Sequence, residues 1–216
     1  MYIHDESMLI GKKVLEIGGP SSLLSNWYPL FESISFLNLP QSMGVHHQSA
    51  TPRNTDGVFH GDASDREVFA NNHLLENFDL VISSHTLEHF ANPIKALFEW
   101  KSALKKGGSI ITIVPNKDLC WDNVRAYTTF EHIIDDFSNC VTESDMTHVH
   151  EASCMIQSRP SYYSDVGEYN ATRVIHHHVF SVEVLTKCHE HCGFFTKSCF
   201  IDPRDKLQMV YIGVRK

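Results

Sequence analysis

Fifteen histidines in 216 residues are the first unusual feature of this chain. Seven of them fall in three groups: His85 and His89, His148 and His150, and the run His176, His177 and His178. An imidazole titrates near neutral pH, so a histidine beside a bound hydroxyl can take its proton as the oxygen attacks an electrophile. A single histidine is mostly a plain polar residue; grouping near a pocket is what makes His148 and His177 candidates for a general base. Alternation along a short extended stretch would set His176 and His178 on one side and His177 on the other.

Around these lie groups suited to a polar acceptor. Asn116, Asp118, Arg125 and His132 offer an amide, a carboxylate, a guanidinium fork and an imidazole to sugar hydroxyls or a phosphate. A salt-bridged loop is the plainer reading of the same residues. Tyr162, Tyr163 and Tyr169 stand in a turn-rich stretch where aromatic faces would suit a lid over a sugar ring. Two patterns look like metal sites. His85-x-x-Glu88-His89 joins imidazoles to one carboxylate, a set that suits a transition metal more than magnesium, against a purely structural Glu88. In Cys188-His189-Glu190-His191-Cys192, a helix would put both thiols on the apolar face of Val184 and Leu185 and the imidazoles elsewhere, which reads as core. No metal-ligand set is assigned.

Something must position these groups, and the stretch Lys13–Ser22, KVLEIGGPSS, is the organising element. Val14, Leu15 and Ile17 read as a buried strand, Gly18 and Gly19 as a turn the backbone can take tightly, and Ser21 or Ser22 as the cap of a helix running to Leu30. Strand, turn and helix start together would cradle the polar end of a nucleotide-like cofactor. A second strand, SISFLNL, ends at Asn38, 22 positions after Glu16, where a side chain can reach a ribose; an amide there brings one acceptor and two donors. A loop over 41–57 precedes a third strand at Val58–His60, and Gly61-Asp62-Ala63 follows with a carboxylate and an open amide for an adenine edge. FDLVIS at 78–83 and SIITIV at 109–114 are strands apolar on both faces, joined by a helix from Pro93 to Lys105. Alternation of this kind implies an open, mostly parallel α/β sheet. A helix over 181–192 and strands at 194–201 and 207–214 close the chain.

In VLEIGGPSS, Asn38, GDA at 61–63 and FDLVISSHTLEHFANPIKALFEWKSALKKGGSIITIVPN, the chain resembles the class I S-adenosylmethionine-dependent methyltransferases over roughly residues 10–116. The resemblance implies a Rossmann-like methyltransferase sheet, mostly parallel with an antiparallel C-terminal strand and helices on both faces. It implies that Glu16, Gly18, Gly19 and Pro20 hold the methionine part of S-adenosyl-L-methionine, Asn38 the ribose, and Asp62 and Ala63 the adenine. Ser84 and His85 would line the methyl-transfer position, and S-adenosyl-L-homocysteine would be the product. Pro20 replaces the usual second glycine, Asn38 the usual carboxylate, and Lys106 a common proline. From Asn116 to Phe180, in PNKDLCWDNVRAYTTFEHIIDDF, ESDMTHVHEA and RVIHHHVFS, the chain resembles bacterial methyltransferases of polysaccharide and surface-sugar biosynthesis, which implies O-methylation of a nucleotide-linked or phosphorylated sugar. N-methylation, or a non-catalytic binding protein, are the other readings of this scaffold.

The expected organisation is one domain over 1–216: a cofactor-binding core at 10–116, an acceptor-binding insertion at 117–180, and a closing helix and strand pair at 181–216. A net charge of −8 and no basic cluster beyond lysine pairs argue against a nucleic-acid partner. No signal peptide or membrane span is visible, and six scattered cysteines read as free thiols, so a cytoplasmic protein is expected.

Overall fold

A computed structural model describes residues 5–40, 51–148, 152 and 174–216. Seven strands form one sheet: β1 (Lys13–Ile17), β2 (Ser33–Asn38), β3 (Thr55–His60), β4 (Phe78–Ser84), β5 (Leu104–Pro115), β6 (Phe194–Ile201) and β7 (Gln208–Arg215), in the order β3-β2-β1-β4-β5-β7-β6. The first five run parallel, and β7 is antiparallel to both β5 and β6. The expected mostly parallel α/β sheet with antiparallel closure is therefore present. Strands β1 and β4 are apolar and buried along almost their whole length, as parallel strands covered on both faces must be.

One face of the sheet is covered by α1 (Arg66–Asn71), α2 (Pro93–Ala103), α3 (Phe130–Ser138) and α4 (Val182–His191). Leu24, Trp27, Tyr28 and Phe31 cover the other. Helix α2 starts as its sequence requires: the Asn92 side chain accepts from the Lys95 amide at 3.0 Å, and Pro93 fills the first turn, where no N–H is needed. Ser181 caps α4 through the Val184 amide at 3.2 Å, and Gly193, at φ +81°, ends it.

Three local expectations are corrected. The stretch after the glycine turn is not a continuous helix but two 3-10 turns, Ser22–Leu24 and Tyr28–Leu30. Pro29 has no N–H to continue a helical ladder, and single i to i+3 bonds such as Trp27 N–H to Leu24 C=O (2.7 Å) close each turn instead. Strand β3 begins at Thr55, inside the stretch read as a loop. Strand β5 begins at Leu104, because α2 ends at Ala103 and Leu104 turns extended to pair with Phe78.

Trp100 joins the helical face to the carboxyl-end edge of the sheet. It is fully buried, and its indole N–H donates to the Ala63 carbonyl at 3.0 Å, pinning the turn after β3 against α2. Trp100→Ala is expected to cost about 3–5 kcal/mol, and Trp100→Phe, which keeps most of the volume but orphans the Ala63 carbonyl, clearly less. Urea unfolding midpoints measure both; a loss below about 1 kcal/mol for the alanine variant would contradict this packing.

Candidate cofactor site and histidine group

The chain leaves β1 toward β2 and later returns to β4 on the opposite side of β1, so the crevice at the ends of β1 and β4 is the switch point where such sheets bind ligands. Glu16, the fourth residue of β1, is buried to 1% exposure beneath the turn. Its carboxyl accepts from the Ser21 amide at 2.9 Å and meets the Tyr28 hydroxyl at 3.0 Å. Burial pushes Glu16 up to about 8, outweighing the pull of those two hydrogen bonds. A protonated Glu16 suits the geometry: it donates to Tyr28, whose own proton then serves the Ser21 carbonyl at 2.8 Å.

The two glycines are required by this packing. Gly18 sits at φ +81°, and a Cβ there would lie 2.4 Å from Thr86 Oγ1. A Cβ on Gly19 would lie 2.2 Å from the Glu16 carboxyl carbon. Pro20 follows through a cis peptide. Ser21 does not cap a helix: its hydroxyl faces Ser84 Oγ at 3.3 Å, tying the turn to the end of β4. Asn38 donates its amide to the Gly19 carbonyl at 2.7 Å, which leaves the side-chain oxygen as an acceptor. Asp62 caps its own turn through the Ser64 amide and hydroxyl, both at 2.8 Å, beside buried Ala63. Glu16, Gly18, Gly19, Pro20, Asn38 and Ser84 are thus drawn into one edge.

Just past β4, His85 adopts φ +52°, a conformation that a non-glycine residue holds only where its surroundings enforce it. Its Nε2 is hydrogen-bonded to Gln208 at the start of β7, and its Nδ1 stands 3.5 Å from Glu88. Burial pulls His85 down, but Glu88 and Gln208 outweigh it and the imidazole is raised overall. Glu88 is 1% exposed, and among the described residues neither carboxyl oxygen makes a hydrogen bond, His85 Nδ1 at 3.5 Å being an ion-pair contact. Burial raises it, yet the imidazoles of His85, His89 and His176 more than offset that, so it stays a carboxylate below its ordinary range. Desolvation pushes the partly buried His89 down to about 4, outweighing the pull of Glu88.

The expected acceptor residues divide. Asn116 donates to the Lys206 carbonyl at 2.8 Å and accepts from the Asp118 amide at 3.4 Å, while the Asp118 side chain lies exposed. Arg125 holds Asp122 at 2.8 Å and the carbonyls of His176 and His177 at 2.8 and 3.3 Å, so its fork supports the histidine run. His132, His148 and His177 do come together: His132 Nε2 is 3.0 Å from His148 Nε2, and His148 Nδ1 is 3.2 Å from His177 Nδ1. His148 and His177 are at most 1% exposed, and the half-exposed His132 is the open member. Alternation fails in the run: its backbone is irregular, His177 and His178 both face His148, and His176 turns to Asp122 at 2.6 Å. His150, Tyr162, Tyr163 and Tyr169 lie outside the described residues. The sequence reading missed Asp136, whose spacing of four from His132 on α3 was its one visible signal.

Compared with known proteins, residues 11–198 match the family model described as Methyltransferase domain. The chain belongs to this methyltransferase family. No curated protein matches it. Among solved structures, a SAM dependent methyltransferase from Aquifex aeolicus is similar at TM-score 0.56 and 12% identity, over 96% of this chain and 84% of that one. A putative methyltransferase from Bacillus halodurans is similar at 0.53 and 14%, over 98% of both chains. The CurJ carbon methyltransferase gives 0.50 and 12% over 95% of this chain, which spans only 48% of that structure.

The methyltransferase keeps its cysteine-rich helix for packing. Cys188 and Cys192 are buried in the main core, while His189 hydrogen-bonds the Leu185 carbonyl at 2.8 Å and Thr112 at 2.8 Å. No helix among the described residues is long and apolar enough to cross a membrane. A raised folded pKa for Glu16 means that its contribution is complete below the unfolded value near 4.5 and lost as pH rises toward 8. The methyltransferase should therefore lose on the order of a few kcal/mol across that window. Glu16→Gln should flatten this slope in urea unfolding at pH 5 and pH 8; parallel slopes would refute the protonated Glu16.

Proposed function

We propose that this methyltransferase binds S-adenosyl-L-methionine at the Glu16–Pro20 turn. It methylates an oxygen of a small acceptor, a nucleotide-linked or phosphorylated sugar of polysaccharide or surface-sugar biosynthesis, and releases S-adenosyl-L-homocysteine. The residues present fit the cofactor: a glycine turn at the switch point, an acceptor oxygen on Asn38 for the ribose, and Asp62 with Ala63 at the adenine edge. When bound, it supplies an electrophilic methyl group, which leaves the protein to place the acceptor and remove its proton. Ser84 and His85 line the transfer position.

One observation carries the histidine base: the histidine run is fastened to the β4–α2 connection, which begins where the cofactor turn meets β4. His177 donates its amide to the Glu88 carbonyl at 2.7 Å, and His178 Nε2 donates to the Ala91 carbonyl at 3.0 Å. His132 is the group open to an acceptor, and the His132–His148–His177 chain carries the proton inward, with Arg125 as the positioning residue behind it.

Transfer of a labelled methyl group to a panel of nucleotide sugars and phosphorylated metabolites tests this reading. His148→Ala and His177→Ala should each lower kcat by about 10²–10⁴, with KM little changed and the acidic limb of the pH profile lost. Unchanged turnover in both variants, folded by circular dichroism, would remove them as bases.

A further inference from the structure

His132 and Asp136 lie one turn apart on α3, and His148 and His178 reach the same point from other parts of the chain. All four offer a ligand atom within 4.8 Å of the others. His132 Nε2 and His148 Nε2 are 3.0 Å apart, and Asp136 Oδ2 lies 3.3 Å from His132 Nε2 and 3.7 Å from both His148 Nε2 and His178 Nε2. With metal–nitrogen bonds of about 2.0–2.1 Å, neighbouring ligands of a tetrahedral ion stand about 3.3 Å apart. The observed separations bracket that edge.

Asp136 supplies an independent sign. Its carboxyl is more than nine-tenths buried, yet among the described residues Oδ2 makes no hydrogen bond although three imidazoles surround it. An oxygen spaced evenly from several nitrogens, and bonded to none, faces a common centre. His148 is also oriented as a ligand would be: with Nε2 turned inward, its Nδ1 meets His177 Nδ1 at 3.2 Å, and His177 is fixed by its amide bond to Glu88. His178 Nε2 also meets the Ala91 carbonyl at 3.0 Å, a contact it gives up to become the fourth ligand.

We propose that His132, Asp136, His148 and His178 form a binding site for a divalent transition-metal ion, with Zn²⁺ as the favoured occupant. Three imidazoles and one carboxylate are borderline ligands that select zinc, cobalt or copper over magnesium and calcium. Four protein ligands in a tetrahedron describe a closed site that clamps α3 to the histidine run. The ion and the acceptor's proton are alternative occupants of the His148 Nε2 lone pair. The proposal thus goes beyond the methyl-transfer reading, and it is tested without cofactor or acceptor.

The test is titration of the chelator-stripped full chain with Co²⁺, followed by Zn²⁺. One equivalent of Co²⁺ should produce the intense visible bands of a four-coordinate ion, and Zn²⁺ should abolish them. His132→Ala, at the half-exposed position, and Asp136→Asn should each weaken binding at least about tenfold, with circular dichroism confirming the fold. His176→Ala tests the neighbouring Glu88, His89 and His176, whose ligand atoms also converge, and should leave the spectrum intact. Absence of four-coordinate bands in the unmodified chain would overturn the proposal. So would a spectrum lost in His176→Ala but kept in His132→Ala.

Discussion

The buried carboxyl of Glu16 is the contact on which the edge at the carboxyl ends of β1, β2 and β4 depends. One oxygen holds the Ser21 amide and the other meets Tyr28, so this side chain sets the path of the turn that leaves β1. Gly19 lies so close against it that no side chain fits there. Ser21, held in place, reaches Ser84, and Asn38 closes the same turn through the Gly19 carbonyl. Three neighbouring strands are thereby locked at their carboxyl ends by side chains, where the backbone ladder stops. The shape of the cradle comes from tertiary bonds to one acid rather than from a helix N-terminus, since only 3-10 turns follow it.

A second set of contacts builds the neighbouring wall. The β4–α2 connection offers the carbonyls of Glu88 and Ala91 to His177 and His178, and Arg125 takes the carbonyls of His176 and His177 from the other side. An irregular histidine segment is thus held at both edges without belonging to a strand or helix. Its imidazoles fall into two groups, one around Glu88 and one around Asp136. Burial pushes Asp136 up and His178 well down, so each is disfavoured in its charged form. The group around Asp136 is polar and largely buried.

The mostly parallel α/β sheet and the glycine turn after β1 were legible in the sequence because they rest on local signals: double-sided apolar runs and paired glycines. The turns after β1 were misread because apolar spacing alone cannot weigh a proline against a helix, and Pro29 decided the matter. Arg125 and Asn116 looked available because composition reveals donors but not whether they are spent. The histidine group was only half legible. His132, His148 and His177 are 16 and 29 positions apart along the chain, and Asp136 looked like any acid on a helix. Only tertiary packing makes it their common neighbour.

The central claim is that the turn built on Glu16 is a cofactor cradle, and calorimetric titration with S-adenosyl-L-homocysteine tests it most directly. The account predicts one site per chain with affinity on the order of micromolar, about −8 kcal/mol, weakened at least tenfold in a folded Gly19→Ala variant. Absence of binding by both S-adenosyl-L-homocysteine and S-adenosyl-L-methionine to the folded chain would contradict it.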